Sequence, residues 1–355
     1  MAVVALRVFH VGADRFAELP SLPEALPEGG FLWIGVEREA FAGSAASIQE
    51  RLHRWTGGAL VDLHVSDLLN AQLPSHFDST SWYDLLVFRR LTAGAQIDKT
   101  VSLETIAVGC AVFDRVLLTV HPADCAVREF FVQRLQALLG GVDARGSARL
   151  PATPADQMLR MVNHMVDGYL ELRRALSRQL ADLQRDLLDP KTRFDDWSLL
   201  LAARNSLNLL EDTCEDQRAA IQEWIDTLDE WPSPADAAAQ RERDILRVRS
   251  RDVQEHIERV LSHVRRLEQS AENAVQMHFS ALSHRTNAIM RTLTVLTAIF
   301  LPLNLITGFF GMNFEALPLI HTRTGVWIAV GLMAAVGFGL GLFFWRKRYL
   351  GTRAR

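Results

Sequence analysis

The 355-residue sequence is poor in the residues that build covalent and metal-bound scaffolds. It has only three cysteines, Cys110, Cys125 and Cys214, and no two of them lie close together. This spacing excludes a disulfide framework and a zinc motif made of cysteine pairs. Its histidines are scattered without metal-ligand spacing, and it has no glycine-rich phosphate loop or catalytic constellation. We therefore expect neither an enzyme nor a resident cofactor.

The sequence also lacks a surplus of positive charge. Lys and Arg total 38 against 42 Asp and Glu, so the formal net charge is −4. Basic charge is nearly all arginine and is spread along the chain. Nucleic-acid binding needs a basic surface, so this balance gives it no support. Hydrophobic residues make up 49% of the chain, which is ordinary for a folded protein and argues against disorder.

Two long segments near the C-terminal end contain no charge at all. They are 292–310 and about 325–345, and each has roughly the 20 residues that a helix needs to cross a bilayer. The alternative for each is a buried core helix, but two such segments separated by a short loop favour transmembrane helices.

Charges beside these segments predict their orientation. Positive residues precede the first span and follow the second, whereas the loop between them has one Glu, one His and one Arg. The basic flanks are Arg285, Arg291, Arg346, Lys347, Arg348, Arg353 and Arg355. Because basic flanks stay in the cytoplasm, we expect a multi-pass membrane protein with cytoplasmic N- and C-termini.

In the part of the chain before the two spans, the sequence pattern predicts an α/β domain followed by helices. Apolar runs rich in Val, Leu, Ile and Phe predict strands, and one short helix is expected at 47–57; the strands are 2–11, 31–37, 84–92, 103–112 and 115–121. The domains that we expect are an α/β domain (1–150), a helical stalk (151–290), a transmembrane pore domain (291–346) and a basic cytosolic tail (347–355).

In the stalk, the sequence pattern predicts helices at 154–188 and 195–230. A third helix of about 75 residues is then expected to enter the membrane. Ser233 and Pro234 supply a start signal for the long helix, and no glycine interrupts it until Gly308. A group of acidic residues on the second helix or at its end is either a solvated face or an electrostatic collector for cations; it comprises Glu211, Asp212, Glu215, Asp216, Asp226, Asp229 and Glu230.

One stripe of the first span is unusual for a helix that faces lipid. Steps of three and four residues join seven side chains within roughly one third of the helix circumference. Five of them are small or polar and two, Met290 and Leu301, are large and apolar: Asn287, Met290, Thr294, Thr297, Leu301, Asn304 and Gly308. Hydrocarbon cannot satisfy the Asn304 amide, so it must face protein or water. The stripe is either a close helix–helix contact or the wall of a pore. Two helices cannot enclose a water path, so a pore requires several copies.

The first span ends in ITGFFGMNFEALP, which contains Gly311, Met312 and Asn313. This tripeptide between two C-terminal spans resembles the signature of the CorA family of divalent-cation channels. The likeness extends over HRTNAIMRTLTVLTAIFLPLNLITGFFGMNFEALP and the basic end Trp345-Arg346-Lys347-Arg348. The helical stalk and the N-terminal α/β domain also fit in order and length, so the resemblance covers the whole chain.

The resemblance implies an α+β membrane protein of the bacterial inner membrane that assembles as a funnel-shaped homopentamer and admits Mg²⁺, with Co²⁺ and Ni²⁺. It implies that Asn313 binds the hydrated ion at the outer mouth, with Gly311 and Met312 shaping the turn, and that Asn287 forms an inner ring. The remaining positions that it assigns are hydrophobic constrictions (Met290, Leu293, Leu301) and path-lining residues (Thr294, Thr297, Asn304, Gly308).

The resemblance also implies regulation by Mg²⁺ held between neighbouring cytosolic domains. Asp67 in SDLLNAQLPSHFD and Asp252 in RDVQEHIERV match the family's regulatory positions by local context. Two carboxylates from different subunits repel when empty and are bridged by Mg²⁺, so the ion would stabilise a closed state. For each Asp taken alone, a surface or capping role is the alternative.

Some residues depart from the family pattern. Phe310 replaces the usual Tyr, Asn304 replaces the common Thr, and Ser66 replaces the acid that often precedes the regulatory Asp. The acid-poor outer loop, with His321 and Arg323, is similar to that of the ZntB branch, which moves Zn²⁺ and couples to protons. Imidazole suits Zn²⁺ better than Mg²⁺. Two alternatives therefore stand beside Mg²⁺ influx: Zn²⁺ transport, and a membrane-anchored coiled-coil sensor that conducts nothing.

Overall fold

A computed structural model describes residues 5–92, 103–139, 149–189, 197–232, 236–312 and 323–347. The chain forms two compact units, Met1–Glu272 and Asn273–Arg355.

The first unit is built on a seven-stranded sheet. Its spatial order is β2-β1-β3-β7-β6-β5-β4, and only the central pair, β3 with β7, is parallel. The strands are β1 (Leu6–Val11), β2 (Phe16–Leu19), β3 (Phe31–Glu37), β4 (His76–Ser79), β5 (Asp84–Leu91), β6 (Thr105–Val112) and β7 (Val116–His121). All five predicted strands are present. The structure adds β2 and β4, which are four residues long and form the two edges of the sheet.

Seven helices complete the described part of the chain: α1 (Arg38–Thr56), α2 (Asp62–Leu69), α3 (Ala126–Leu139), α4 (Pro154–Leu188), α5 (Trp197–Glu230), α6 (Ala237–Phe310) and α7 (Arg323–Arg346). The predicted long helix is confirmed, since α6 has 74 residues. At its described start the Asp236 carboxylate accepts a hydrogen bond of 2.7 Å from the Ala239 N–H. The expected start signal at Ser233 and Pro234 lies outside the described residues. The predicted helix at 47–57 is the second half of α1.

Helices cover both faces of the sheet. Successive strand residues point to opposite faces, so β3 sends Leu32 and Ile34 into one hydrophobic cluster and Trp33 into another. The first cluster includes α1 residues such as Phe41. The second continues into α3, α4, α5 and the N-terminal half of α6, where apolar residues recur at helical spacing: Val253, Ile257, Val260 and Val264.

The second unit contains the end of α6 and all of α7. Both helices are long and apolar enough to cross a membrane, and only 6% and 0% of their most apolar stretches are buried within the chain. This exposure contradicts the alternative of two buried core helices. Pro302 lies inside α6, where it removes one backbone N–H from the helix hydrogen-bond ladder.

Candidate functional site

The polar stripe of α6 lies away from the neighbouring span. Val295 is almost fully buried, and Leu303 lies 3.9 Å from where a Cβ on Gly337 of α7 would be. At 100° per residue this packed face is roughly opposite the stripe. Every predicted member of the stripe is exposed in the single chain, namely Asn287, Met290, Thr294, Thr297, Leu301, Asn304 and Gly308. The packing of α6 on α7 therefore leaves the stripe free to contact another copy of the chain or water.

The threonine hydroxyls of the stripe have a defined orientation. Thr294 Oγ1 donates to the Met290 carbonyl at 2.8 Å, and Thr297 Oγ1 donates to the Leu293 carbonyl at 2.9 Å. Because each hydroxyl donates its hydrogen bond to the helix backbone, the lone pairs of its oxygen remain free to accept hydrogen bonds. These positions present hydrogen-bond acceptors, which suits the water shell of a cation.

Two amides and three large apolar side chains alternate with the threonines. In the described part of the chain, the side chains of Asn287 and Asn304 have no hydrogen-bond partner and are exposed. An unpartnered amide in hydrocarbon costs several kcal/mol, so a water-filled or protein-lined setting is required. Met290, Leu293 and Leu301 are also more than half exposed.

The end of α6 brings Gly311 into a tight backbone turn. The Gly311 N–H donates to the Thr307 carbonyl at 2.9 Å, and the Met312 N–H donates to the Phe309 carbonyl at 3.4 Å. A Cβ at Gly311 would lie only 3.0 Å from the Thr307 oxygen, so glycine suits this close approach. Asn313, which the resemblance implies at the outer mouth of a channel, lies outside the described residues.

The two expected regulatory carboxylates both belong to the first unit. Asp67 lies on α2, with Oδ2 3.9 Å from His76 Nε2. Asp252 lies on α6, with Oδ1 3.7 Å from His256 Nε2. The described part of one chain contains no group of three or more His, Cys, Asp or Glu that could hold a metal ion. The sequence prediction that these two residues bind metal therefore depends on a second copy of the chain.

The acidic residues of α5 are paired in part with arginines of α6. Arg265 bonds Glu211 at 2.6 Å and also bonds Glu215, and Arg247 bonds Asp229 at 2.7 Å. Both carboxylates raise the pKa of Arg265. This pairing favours the interpretation of a solvated, ion-paired helix face over that of a cation collector.

Sequence spacing gave no sign of a buried contact around His64. Its Nδ1 lies 2.7 Å from the Tyr83 hydroxyl, and its Nε2 lies 2.8 Å from Asp78 Oδ2. The Tyr83 hydroxyl also accepts from the Val61 N–H at 2.9 Å. The residues come from α2 and the residue before it, from β4, and from the turn between β4 and β5, so only the folded chain brings them together. This contact fixes the start of α2, the helix that carries Asp67.

The sheet, the 74-residue helix and the two exposed apolar spans define an α+β membrane protein with a large non-membrane domain. The sequence profile of the family described as "CorA-like Mg2+ transporter protein" matches residues 29–348. The chain therefore belongs to the CorA family. The description of this family names transport and not catalysis.

Curated relatives match over shorter segments. The cobalt/magnesium transport protein CorA of Thermotoga maritima is 29% identical over 100 residues, which is 28% of this chain and 28% of that protein. The magnesium transport protein CorA of Haemophilus influenzae is 31% identical over 101 residues, which is 28% of this chain and 32% of that protein. The matches thus span about a third or less of the relatives' own length.

Solved structures match over nearly the whole chain. The CorA magnesium transporter from Methanocaldococcus jannaschii has a TM-score of 0.72 at 18% identity and covers 98% of this chain and 99% of its own. The full-length CmaX protein has a TM-score of 0.67 at 17% identity, with 97% of each chain covered. At these identities the likeness establishes the fold, with its soluble domain, long helix and two C-terminal apolar helices.

Proposed function

We propose that this chain is one subunit of a homopentameric channel that conducts divalent cations, Mg²⁺ first, into the bacterial cytoplasm. The observation that carries the proposal is the stripe of exposed Asn and Thr side chains on α6, on the face turned away from α7. Membership of a family described as Mg²⁺ transporters supports the proposal that this stripe lines an ion path.

The stripe requires an assembly to become a pore. One chain contributes two spans, and two helices cannot surround a column of water. If copies pack around an axis with α6 innermost, the stripe encloses the path and α7 separates it from lipid. In that arrangement residues 291–346 form the pore domain, and both termini lie in the cytoplasm because basic residues flank the spans.

Selection in such a pore acts on a hydrated ion. Mg²⁺ gives up its water reluctantly and prefers oxygen ligands in octahedral geometry. The free lone pairs of Thr294 and Thr297, with the Asn304 amide oxygen, can accept hydrogen bonds from the water shell. At the outer mouth we assign the first binding ring to Asn313, positioned by the turn at Gly311 and Met312. Co²⁺ and Ni²⁺, which also bind water octahedrally, would use the same path.

Closure in this scheme uses large apolar residues on the stripe and at its edge. Rings of Met290, Leu293 and Leu301 stop conduction by excluding water when they approach one another. Asn287 would form the polar ring on their cytoplasmic side, and Gly308 would leave room for the ion near the outer end. The membrane potential drives influx, since it favours a divalent ion by about 4.6 kcal/mol per 100 mV.

Regulation would use Asp67 and Asp252 of neighbouring subunits. Neither residue belongs to a metal-binding group within the described part of one chain. A divalent ion held between two subunits would join their carboxylates and stabilise the closed state. A rise in cytosolic Mg²⁺ would then reduce further influx.

Zn²⁺ transport is the second candidate. His321 stands in the acid-poor outer loop, and imidazole favours Zn²⁺ over Mg²⁺. A Zn²⁺ transporter on the same scaffold would bring in its ion together with protons. A membrane-anchored sensor that conducts nothing is a third outcome of the experiment below.

Ion uptake by liposomes that contain the purified protein separates these functions. Mg²⁺, Co²⁺, Ni²⁺ and Zn²⁺ are tested separately, with and without an inward proton gradient. We expect Mg²⁺ and Co²⁺ uptake that is indifferent to the proton gradient and is lost in Asn313→Ala. Proton-dependent Zn²⁺ uptake would replace the proposal by the second candidate, and the absence of any ion flux would leave the sensor.

A further inference from the structure

A cavity of about 640 Å³ lies in the first unit, apart from the polar stripe of α6. Its walls come from the β4–β5 turn, the β6–β7 turn, the start of α4, the end of α5 and the start of α6. This volume falls in the range that small-molecule sites occupy in proteins, about 300–1,000 Å³.

Four aromatic residues contribute to the cavity wall, Trp82, Tyr83, Phe113 and Trp231. The Tyr83 and Phe113 rings are buried and pack on each other with centroids 4.9 Å apart. Trp231 contacts Trp224 edge to face at 5.8 Å, and Trp82 at the rim is 56% exposed. Indole and phenol rings attract cations through their electron-rich faces. The wall therefore suits a ligand with both an apolar body and a positive charge.

The charge on the cavity wall is negative. Asp84, Asp114, Glu230 and Glu242 line it, together with a single arginine, Arg243. The Arg243 guanidinium donates to the carbonyls of Leu228, Asp229 and Pro232 at the end of α5. These bonds hold it there but leave its positive charge, and the four acidic residues still outnumber it. The carboxyl end of α5 adds partial negative charge through its helix dipole. The cavity thus attracts cations.

Asp84 is a buried carboxylate without a positive partner. Its residue is only 8% exposed, and Oδ1 accepts a hydrogen bond of 2.7 Å from the Ser79 hydroxyl. In the described part of the chain Oδ2 has no hydrogen bond and no cation pairs with either oxygen. Burial and the nearby Asp114 raise the pKa of this carboxyl. A buried charge without a counter-ion is unfavourable, so an incoming cation would be stabilised here.

We infer that this cavity binds a small organic cation, with an ammonium group against Asp84 and an apolar body against Trp82, Phe113 and Trp231. A bare divalent metal fits less well, because Mg²⁺ and Ca²⁺ need six or more oxygen ligands. No group of three or more His, Cys, Asp or Glu residues in the described ranges can hold a metal. Glu242 and Leu246 of α6 belong to the wall, so the bound cation would contact the start of the helix that continues into the membrane.

Calorimetric titration of the purified full-length protein in detergent tests the inference. Spermidine and tetramethylammonium serve as probes of an extended and a compact organic cation, and Mg²⁺ is titrated separately. We expect saturable binding of at least one organic cation, weakened at least about tenfold by Asp84→Asn because the charge partner is lost. Asn keeps the size of the side chain and can still accept from Ser79.

Two further variants complete the design. Asp14→Asn removes an exposed carboxylate outside the cavity and should leave binding unchanged. Glu242→Gln alters an exposed cavity residue, so it should weaken binding and remains informative if Asp84→Asn does not fold. Three results would overturn the inference. They are no saturable binding of either organic cation, wild-type affinity in both Asp84→Asn and Glu242→Gln, and displacement of the organic cation by stoichiometric Mg²⁺. None of these readouts depends on ion flux, so the test is independent of the channel proposal.

Discussion

The hydroxyl of Thr297 is the residue-scale feature on which the pore proposal depends. Its proton bonds the Leu293 carbonyl, which leaves the oxygen as an acceptor on the polar stripe. Thr297→Val keeps the shape of the side chain and removes that acceptor. We expect Mg²⁺ uptake by liposomes to fall by about tenfold or more, because a hydrogen bond to a charged or strongly polarised partner contributes roughly 1.5–3 kcal/mol.

Thr292 supplies a matched control for this experiment. Its hydroxyl makes the same kind of bond, donating to the Ala288 carbonyl at 3.0 Å, but it lies on the opposite side of α6 from the stripe. Thr292→Val should leave the uptake rate unchanged. Equal losses in the two variants would indicate that both hydroxyls act only on helix stability.

His121 makes the stability of the first unit sensitive to acid. Burial, with the nearby Arg128, Arg90 and Arg38, lowers its pKa to about 3. The folded chain therefore keeps this imidazole neutral, whereas the unfolded chain protonates it below about pH 6.5. The full free energy of unfolding should therefore be present above pH 6.5, and it should decrease as the pH falls from 6.5 towards 3.

His121→Gln tests this linkage in the detergent-solubilised full chain. Between pH 6.5 and 4.5 one such histidine removes about 2–3 kcal/mol from the free energy of unfolding. The variant, which is less stable at pH 7, should lose that much less over this interval. Denaturant unfolding followed by tryptophan fluorescence measures both slopes, and parallel slopes would show that His121 does not titrate as described.

At the scale of elements, Trp224 joins α5 to α6 and to the sheet. It is fully buried, its Nε1 donates to Ser250 Oγ of α6 at 2.8 Å, and its ring meets Phe77 of β4 edge to face at 5.9 Å. Trp224→Ala should lower the free energy of unfolding by about 3–5 kcal/mol. Trp224→Phe keeps most ring contacts and should cost clearly less. If denaturant midpoints moved equally in both variants, the ring contacts would not be what joins these elements.

Most of the elements could be predicted because their patterns are local. The apolar runs of β3, β5, β6 and β7 and the uninterrupted helical spacing of α6 are read directly from the sequence. The edge strands β2 and β4 are too short for a periodic signal. The first half of α1 contains Gly43 and Ser44, which are poor helix formers, and it is helical because Phe41 packs into the core.

The two candidate sites also differ in how well the sequence predicts them. The polar stripe lies on one helix, so spacing alone predicted which residues share a face, and their exposure agrees. The cavity around Asp84 draws its residues from five separate elements and turns, and no spacing connects them. The contact of His64 with Tyr83 and Asp78 was missed for the same reason.

At the scale of the whole molecule, the exposed spans and stripe predict assembly. Large apolar side chains on α6 and α7 remain uncovered in one chain, among them Leu301 and Phe338. Native mass spectrometry of the detergent-purified protein should give a complex of five 39.8 kDa chains. A monomer that nevertheless supports ion flux would contradict the account, because one chain cannot enclose a path.

The central claim is that the stripe of α6 faces water, and thiol accessibility tests it most directly. The three native cysteines are all buried, so the wild-type background is low. Single substitutions Thr297→Cys and Asn304→Cys are compared with Leu296→Cys and Thr307→Cys, which lie at similar depths on other faces of the helix. A charged, membrane-impermeant thiol reagent should modify only the first pair and block Mg²⁺ uptake. Modification of the second pair with the first pair unreactive would contradict the account.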